Sequence, residues 1–119
     1  MTQKSAQPQK GVLLRKHKYC VYILASRSGA LYIEMTNDLC ARVMQRKEGK
    51  MEGFTAAYKV DRLVYWEGFD EVAKAINREK QLKAWRRSKK IALVESVNPH
   101  WSDLAEHWGA EMSFPGLGS

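Results

Sequence analysis

The stretch Tyr19–Arg46, YCVYILASRSGALYIEMTNDLCARVMQR, decides the fold of this chain. Residues 19–25 form a continuous apolar run with aromatic and β-branched side chains, which is typical of a strand covered on both faces. After a Ser/Gly turn, residues 31–35 alternate, so that Tyr32 and Glu34 share one face of a second strand. The two runs are predicted to pair as an antiparallel hairpin.

A short helix is predicted directly after the hairpin. Three residues of good N-cap type occupy positions 36–38, immediately before Leu39. Leu39 and Val43 then form an apolar stripe, with Arg42 and Arg46 beside its edge. We expect both guanidiniums at the rim of a cleft; the alternative is that their stems cover the core while the charged heads stay in water.

Composition narrows the class of protein. The chain has 119 residues and a formal net charge of +7, which favours one basic domain with an anionic partner, nucleic acid before membrane. Cys20 and Cys40 do not make a disulfide framework, so we expect no disulfide-linked partner and a reducing, cytoplasmic location. No apolar run approaches the length of a membrane span.

The domain boundaries follow from composition. Residues 1–17 are polar, rich in Gln and Lys, and are predicted to form a disordered basic arm. A single domain is expected at 18–109, and residues 110–119 are predicted to be a disordered tail.

A third strand is predicted at 62–66, and Asp70 is expected to cap a helix running from Glu71 through about Trp85. The apolar stripe of this helix is completed by a carboxylate, Glu79, after the apolar positions Val72, Ala75, Ile76 and Leu82. A buried ionised carboxylate costs several kcal/mol unless it is paired or binds a cation. The alternatives for Glu79 are a salt bridge, for example to Arg42, or a wet rim position.

Residues 78–90 are dense in positive charge around Trp85. Such a run is usually a solvated face, but basic residues interleaved with an aromatic also describe a surface that follows a nucleic-acid backbone. With Arg46, the residues that we predict to bind nucleic acid are Lys80, Lys83, Arg86, Arg87, Lys89 and Lys90.

Taken together, these residues resemble the GIY-YIG endonuclease superfamily, in its small stand-alone group related to the excision-repair nuclease subunit. The resemblance is carried, in family order from about Tyr19 to Leu104, by VYIL, LYI, TND, the helical Arg42, EGFT, LVYWE, REKQLKAWRR, KKIALVE and NPHW. It implies an α+β fold, with a three-stranded antiparallel sheet flanked by helices. It also implies metal-dependent hydrolysis of a nucleic-acid phosphodiester, with DNA the expected substrate and DNA repair or processing the expected context.

The resemblance implies catalytic roles for Tyr22, Tyr32, Arg42 and Glu79. Glu79 would hold one Mg²⁺ or Mn²⁺, whose oxygen shell water and phosphate complete. Arg42 would neutralise charge that develops on the phosphate oxygens. Tyr22, deprotonated or relaying through water, would activate the attacking water, and Tyr32 would position the water or the phosphate.

Two departures from the family pattern bear on activity. Glu34 stands where the motif of the second strand has glycine, and its carboxylate is expected to point towards the site, where it would repel phosphate or add a metal ligand. Arg46 stands where these relatives commonly carry histidine, so acid/base chemistry is lost there and phosphate clamping remains. The alternative function is therefore a catalytically impaired nucleic-acid-binding module of the same fold; a protein-interaction domain is a third interpretation.

Overall fold

The computed structural model describes residues 17–48 and 62–108. Apart from His17, the predicted N-terminal arm lies outside the described residues, as do the predicted C-terminal tail and residue 109 of the predicted domain.

One three-stranded antiparallel sheet forms the centre of the fold. Its strands are β1 (Tyr19–Ala25), β2 (Leu31–Thr36) and β3 (Arg62–Phe69), in the order β2-β1-β3. The predicted hairpin of β1 and β2 is confirmed, with Gly29 in its turn at a φ of 95°, a value that favours glycine. Tyr22 lies directly opposite Glu34 in this register. Because β1 is central, β2 forms an edge of the sheet.

Three described helices pack around the sheet, which confirms the predicted α+β fold. They are α1 (Leu39–Lys47), α2 (Val72–Ala84) and α3 (Arg87–Val97). Asp38 caps α1 by accepting a hydrogen bond from the Ala41 amide at 3.1 Å. The expected Asp70 cap of α2 is wrong: Glu71 is the N-cap without a side-chain hydrogen bond, and Asp70 Oδ1 lies 3.6 Å from His17 Nδ1 instead.

The core has two layers, one on each face of the sheet. On one face Tyr22 and Leu24 of β1 pack with Leu39 and Val43 of α1. On the other face the alternate β1 residues pack against α2 and α3, in a cluster that includes Val21, Ile23, Ala75, Leu82 and Val94. The helix that carries Glu79 is therefore on the opposite layer from Tyr22.

The predicted apolar stripe of α2 is correct at its centre and wrong at its start. Ala75 and Leu82 are fully buried and Ile76 is half-buried, whereas Val72 is exposed. Val72 is the first residue of the helix, and the fully buried residues of α2 begin one turn later, at Ala75.

Candidate active site

Glu34 is the centre of a hydrogen-bonded cluster that joins β1, β2 and α1. The Tyr22 hydroxyl donates to Glu34 Oε1, and the Tyr32 hydroxyl donates to Oε2 at 3.1 Å. Arg46 Nη2 donates to Oε1 at 2.5 Å. The sheet register explains the arrangement, because Tyr22 and Glu34 are paired across two strands while Tyr32 lies two residues from Glu34 on the same face. The expected inward orientation of Glu34 agrees with these contacts.

Arg46 lies inside the cluster rather than at a cleft rim, which corrects the expected position. Its side chain is only 3% exposed, and its guanidinium lies 4.8 Å from the centre of the Tyr32 ring. Nη2 is also 3.4 Å from the Tyr32 hydroxyl. Burial of the guanidinium is tolerated because Glu34 neutralises it and the aromatic ring adds a cation–π contact. The predicted direct contact of Arg46 with nucleic acid would require it to leave this position.

The protonation states of the cluster follow from its geometry. Burial, then the bond to Glu34, raises the pKa of Tyr22 far above its ordinary value. Burial, then the Glu34 charge, also raises the pKa of Tyr32. For Glu34, burial alone would raise the pKa, but hydrogen bonds from Tyr22 and Arg46 outweigh it and the pKa is lowered. At neutral pH the cluster therefore holds an ionised carboxylate and two protonated tyrosines, which argues against a deprotonated Tyr22.

Glu79 is half-buried on α2, as the sequence predicted, but its partner differs from the one considered. Its side chain is 20% exposed and its Oε2 lies 3.1 Å from Lys83 Nζ, one helical turn further along. Between the described residues, no hydrogen bond or ion pair links Glu79 to either tyrosine of the cluster or to Arg42. The structure thus brings Tyr22 and Tyr32 together through Glu34, whereas Glu79 lies on the helix that covers the opposite face of the sheet.

Arg42 is half-buried on α1, one turn before Arg46. Its backbone amide donates to the Asp38 carbonyl at 3.0 Å. Within residues 17–48 and 62–108, its guanidinium makes no hydrogen bond or ion pair, so those residues leave its charge without a protein counterion.

A shallow cleft of about 300 Å³ lies between the edge strand and helices α2 and α3. It is lined by residues of the edge strand and of two helices: Leu31, Tyr32, Ile33, Lys83 and Lys90. Because β2 is an edge strand, α2 can approach Tyr32 around the side of the sheet. Tyr32 is therefore part of the Glu34 cluster and also lines the cleft. Lys83 lines the cleft as well and forms an ion pair with Glu79.

The half-buried Glu79 carboxylate, whose partner Lys83 lines the cleft, fits a single hard cation. The Lys83 ammonium already neutralises this carboxylate, so an ion bound by Glu79 would take over that charge. Mg²⁺ is commonly held by one or two carboxylates, with water and phosphate oxygens as its other ligands. No group of three or more His, Cys, Asp or Glu residues suited to a metal ion occurs in the described part of the chain, so a site closed by protein ligands alone is not formed there.

The predicted nucleic-acid-binding residues of α2 and α3 are mostly on the surface. Lys80, Lys83, Arg86, Arg87 and Lys89 are exposed, and the half-buried Lys90 lines the cleft, as described above. Lys89 Nζ lies 4.2 Å from the centre of the Trp85 ring. Arg87 Nη2 donates to the Gly29 carbonyl at 2.6 Å, which ties the start of α3 to the hairpin turn.

Two ionic contacts were not predicted. Arg78, which the sequence placed in the basic run, is held by Glu67 through Nε at 2.9 Å from Oε1 and Nη2 at 2.8 Å from Oε2. The alternation of Tyr65 and Glu67 along β3 could have indicated this, because Tyr65 also donates to Glu67. The sequence did contain an indication of the Glu34–Arg46 pair. Both residues depart from the family pattern described above, and they carry opposite charges.

Comparison with known proteins defines the class to which this fold and site correspond. The family model of the GIY-YIG catalytic domain matches residues 18–92, which include Tyr22, Tyr32, Arg42 and Glu79. The chain belongs to the GIY-YIG family, which is a family of nucleases.

The relatives in this family are small stand-alone UPF0213 proteins. A UPF0213 protein of Bacillus pumilus is 33% identical over 94 residues, which make up 79% of this chain and 96% of that protein. One of Staphylococcus saprophyticus is 31% identical over 77 residues, or 65% of this chain and 94% of that protein. The solution NMR structure of a UPF0213 protein from Bacillus halodurans is 27% identical, with a TM-score of 0.49, and the match covers 75% of this chain and 94% of that one. Of the helices described, none has the length and apolar character needed to cross a membrane.

Proposed function

We propose that this protein is a divalent-metal-dependent endonuclease that hydrolyses phosphodiester bonds of DNA, in DNA processing or repair. The observation that carries the proposal is the half-buried Glu79 carboxylate, whose Lys83 partner lines the same cleft as Tyr32. A carboxylate on the apolar side of a helix, neutralised by a lysine at the cleft wall, is suited to exchange that lysine for a metal ion. Membership in a nuclease family supports this interpretation.

The roles proposed for the residues are those that the family resemblance implies, and the charge of each residue suits its role. Glu79 would hold the ion, and the bound Mg²⁺ or Mn²⁺ supplies Lewis-acid polarisation of the scissile phosphate. Arg42, whose guanidinium has no partner among the described residues, is available to neutralise the phosphate oxygens. Tyr32 lines the cleft, where its hydroxyl orients the water or the phosphate.

Tyr22 acts as a relay rather than as a deprotonated base. It keeps its own proton at neutral pH, because burial and Glu34 raise its pKa. Tyr22 is fully buried in the structure, so the cluster would have to open for the attacking water to reach the Tyr22 oxygen. The water would then lose a proton to that oxygen, and the original Tyr22 proton would pass to Glu34 Oε1, to which it is already hydrogen-bonded. The water oxygen forms a bond to phosphorus as the bond from phosphorus to the leaving oxygen breaks. The leaving oxygen takes a proton from bulk water, and Glu34 ends as a neutral carboxylic acid beside Arg46.

A second function is favoured by the same cluster. Glu34 neutralises Arg46 and accepts both tyrosine protons, so it also satisfies the groups that would otherwise meet a phosphate. In this alternative the protein is a nucleic-acid-binding module that has lost turnover. The two functions make opposite predictions for Glu34. If Glu34 accepts the proton in the nuclease reaction, removing it abolishes cleavage; if the protein is a binding module that Glu34 has inactivated, removing it restores cleavage.

The test is cleavage of a panel of branched, nicked, single-stranded and damaged DNA with Mg²⁺ or Mn²⁺. The proposal expects cleavage by the wild type that disappears in Glu79→Ala. The same absent or trace cleavage by both proteins would exclude catalysis, and activity that appears only in Glu34→Gly would establish the binding module instead.

The proposed function also includes a cellular location and the extent of the catalytic domain. We infer a cytoplasmic location, because neither Cys20 nor Cys40 forms a disulfide and reduced thiols are usual there. We also infer that residues 18–109 form a single catalytic domain, of which 18–92 match the family model.

A further inference from the structure

Lys83 and Lys90 converge on the cleft although they lie on different helices. Lys83 is near the end of α2 and Lys90 is in the first turn of α3. The chain between the two helices is extended at Trp85 and Arg86, so α3 begins in a new direction. This change of direction brings two ammonium groups to one small cleft.

The rest of the lining determines what the two ammonium groups could bind. Leu31 and Ile33 contribute apolar side chains, and no acidic residue lines the cleft. The bond from Arg87 to the Gly29 carbonyl holds the start of α3 against the β1–β2 turn, which fixes the position of Lys90 relative to the strand. Two lysines beside an apolar surface suit a ligand that has an anionic group attached to a flat or apolar moiety.

The cleft is continuous with the proposed catalytic residues. Tyr32 forms part of its lining, and Lys83 is 3.1 Å from the Glu79 carboxylate. If Glu79 holds the ion that binds the scissile phosphate, as proposed above, a ligand in the cleft would lie next to that phosphate. At about 300 Å³ the cleft is at the lower end of the range for ligand pockets, roughly 300–1,000 Å³, which corresponds to one small unit rather than an extended segment.

We propose that this cleft is a nucleotide subsite, which holds the nucleotide adjoining the scissile phosphate. Lys90 and Lys83 contact its phosphate, and Leu31 and Ile33 contact its sugar and base. The subsite rests on the proposed nuclease function for its role, but its occupancy can be measured without any cleavage. Lys90 is the better probe of the two lysines, because Lys83 also neutralises Glu79 and its removal would leave a carboxylate facing the phosphate.

The experiment uses the full chain in EDTA, so that neither metal nor cleavage contributes. First, a 5′-phosphorylated thymidine dinucleotide is titrated into ¹⁵N-labelled protein, and the subsite predicts the largest amide shifts at residues 31–33 and around Lys90. Second, anisotropy with a fluorescent 12-nucleotide DNA strand compares the wild type with Lys90→Met, Lys90→Arg and a matched control, Lys74→Met. Lys74 is an exposed residue of α2 outside the cleft.

Loss of one phosphate contact to a single strand should weaken binding about fivefold near 0.1 M salt, because each contact contributes about 0.7 to the slope of log affinity against log salt. We expect that loss in Lys90→Met, most of the affinity retained in Lys90→Arg, and little change in Lys74→Met. Equal weakening by Lys90→Met and Lys74→Met, or dinucleotide shifts centred outside the cleft, would overturn the subsite. An unchanged amide spectrum of Lys90→Met in the absence of DNA verifies that the variant is folded.

This result is independent of catalysis. If the dinucleotide maps to the cleft while the wild type cleaves no DNA with any metal, the subsite is supported and the nuclease proposal fails. If the wild type cleaves DNA but the dinucleotide binds elsewhere, the nuclease proposal stands and the subsite fails.

Discussion

Glu34 Oε1 and Arg46 Nη2 lie 2.5 Å apart and join the edge strand β2 to helix α1. The resemblance described above implies glycine and commonly histidine at these two positions, and the two residues of opposite charge that stand there in this chain meet in space. The Arg46 side chain is almost fully buried, whereas that of Glu34 is 23% exposed. A guanidinium can be buried this deeply because a carboxylate accompanies it. The pair therefore explains why the two changes occur together.

Removing one member of the pair should destabilise the fold. We expect Arg46→Ala to lower the free energy of unfolding by about 2 kcal/mol, less than the 3–5 kcal/mol typical of fully buried pairs, because Glu34 retains some contact with water. Arg42→Ala is the matched control on the same helix and should change stability by no more than about 0.5 kcal/mol. Urea unfolding of both variants measures the difference, and equal values would show that the pair adds no stability.

The two family positions should also be energetically coupled. The double variant Glu34→Gly, Arg46→His restores the family pattern and leaves no buried charge without a partner. Its destabilisation should therefore be smaller than the sum of the two single variants by about 1 kcal/mol or more. A double-mutant cycle by urea unfolding measures this coupling, and simple additivity would contradict it.

The stability of the protein should depend on Glu34 at acidic pH. The pKa of Glu34 is lower in the folded protein than in the unfolded chain, so its ionised form stabilises the fold. This contribution is complete above the unfolded pKa of about 4.3 and is lost as pH falls through the lower folded value. The difference in unfolding free energy between the wild type and Glu34→Gln should therefore shrink as pH falls below about 4. Glu71→Gln, at an exposed position, is the matched control for the loss of one carboxylate.

The ionisation of the tyrosines tests the described environment of the Glu34 cluster. Tyr22 and Tyr65 are both buried donors to carboxylates, and their pKa values are raised. Alkaline titration followed by tyrosinate absorbance should show late-ionising groups, one of which disappears in Tyr22→Phe and another in Tyr65→Phe. In Glu34→Gln the pKa of Tyr32 should fall, because the neighbouring negative charge is gone. An unchanged titration curve in Tyr22→Phe would contradict the described environment of Tyr22.

Lys83 should compete with a metal ion for Glu79. Removing this exposed i,i+4 partner in Lys83→Met should tighten Mn²⁺ binding about twofold, since such pairs contribute about 0.3–0.5 kcal/mol. Lys80→Met removes the same charge from a position without the Glu79 contact and serves as the control. Mn²⁺ titration followed by electron paramagnetic resonance measures both variants. Weaker Mn²⁺ binding in Lys83→Met would argue against competition between Lys83 and the metal ion. The same increase in Mn²⁺ affinity in Lys80→Met as in Lys83→Met would also argue against it.

The sequence predicted the parts of the fold that depend on local pattern. The apolar run of β1, the alternation of β2 and the Asp38 cap are local features, and each is present in the structure. The alternation also placed Tyr32 and Glu34 on one face. Asp70 shows the limit of a local pattern, because it is a good N-cap type but interacts with His17 near the other end of the described chain.

Tertiary contacts account for what the sequence did not predict. The distance of Arg46 from Glu34 depends on how α1 packs on the sheet, and helical periodicity alone placed Arg46 at the rim. Likewise, the inward position of Glu79 followed from the α2 stripe, but its pairing with Lys83 rather than Arg42 depends on α2 and α1 covering opposite faces of the sheet. Burial can be inferred from periodicity, whereas the choice between two cationic partners requires the packing of the helices.

The most direct test of the account is the rate of metal-dependent DNA cleavage by the wild type and by Glu79→Gln, which keeps the shape of the side chain but removes its charge. The account predicts that cleavage by the wild type requires Mg²⁺ or Mn²⁺ and falls at least about a hundredfold in Glu79→Gln, comparable to the loss of one electrostatic stabiliser of a transition state. Glu71→Gln, at the start of the same helix, should retain the wild-type rate. Equal rates for Glu79→Gln and the wild type, with or without metal, would contradict the central claim.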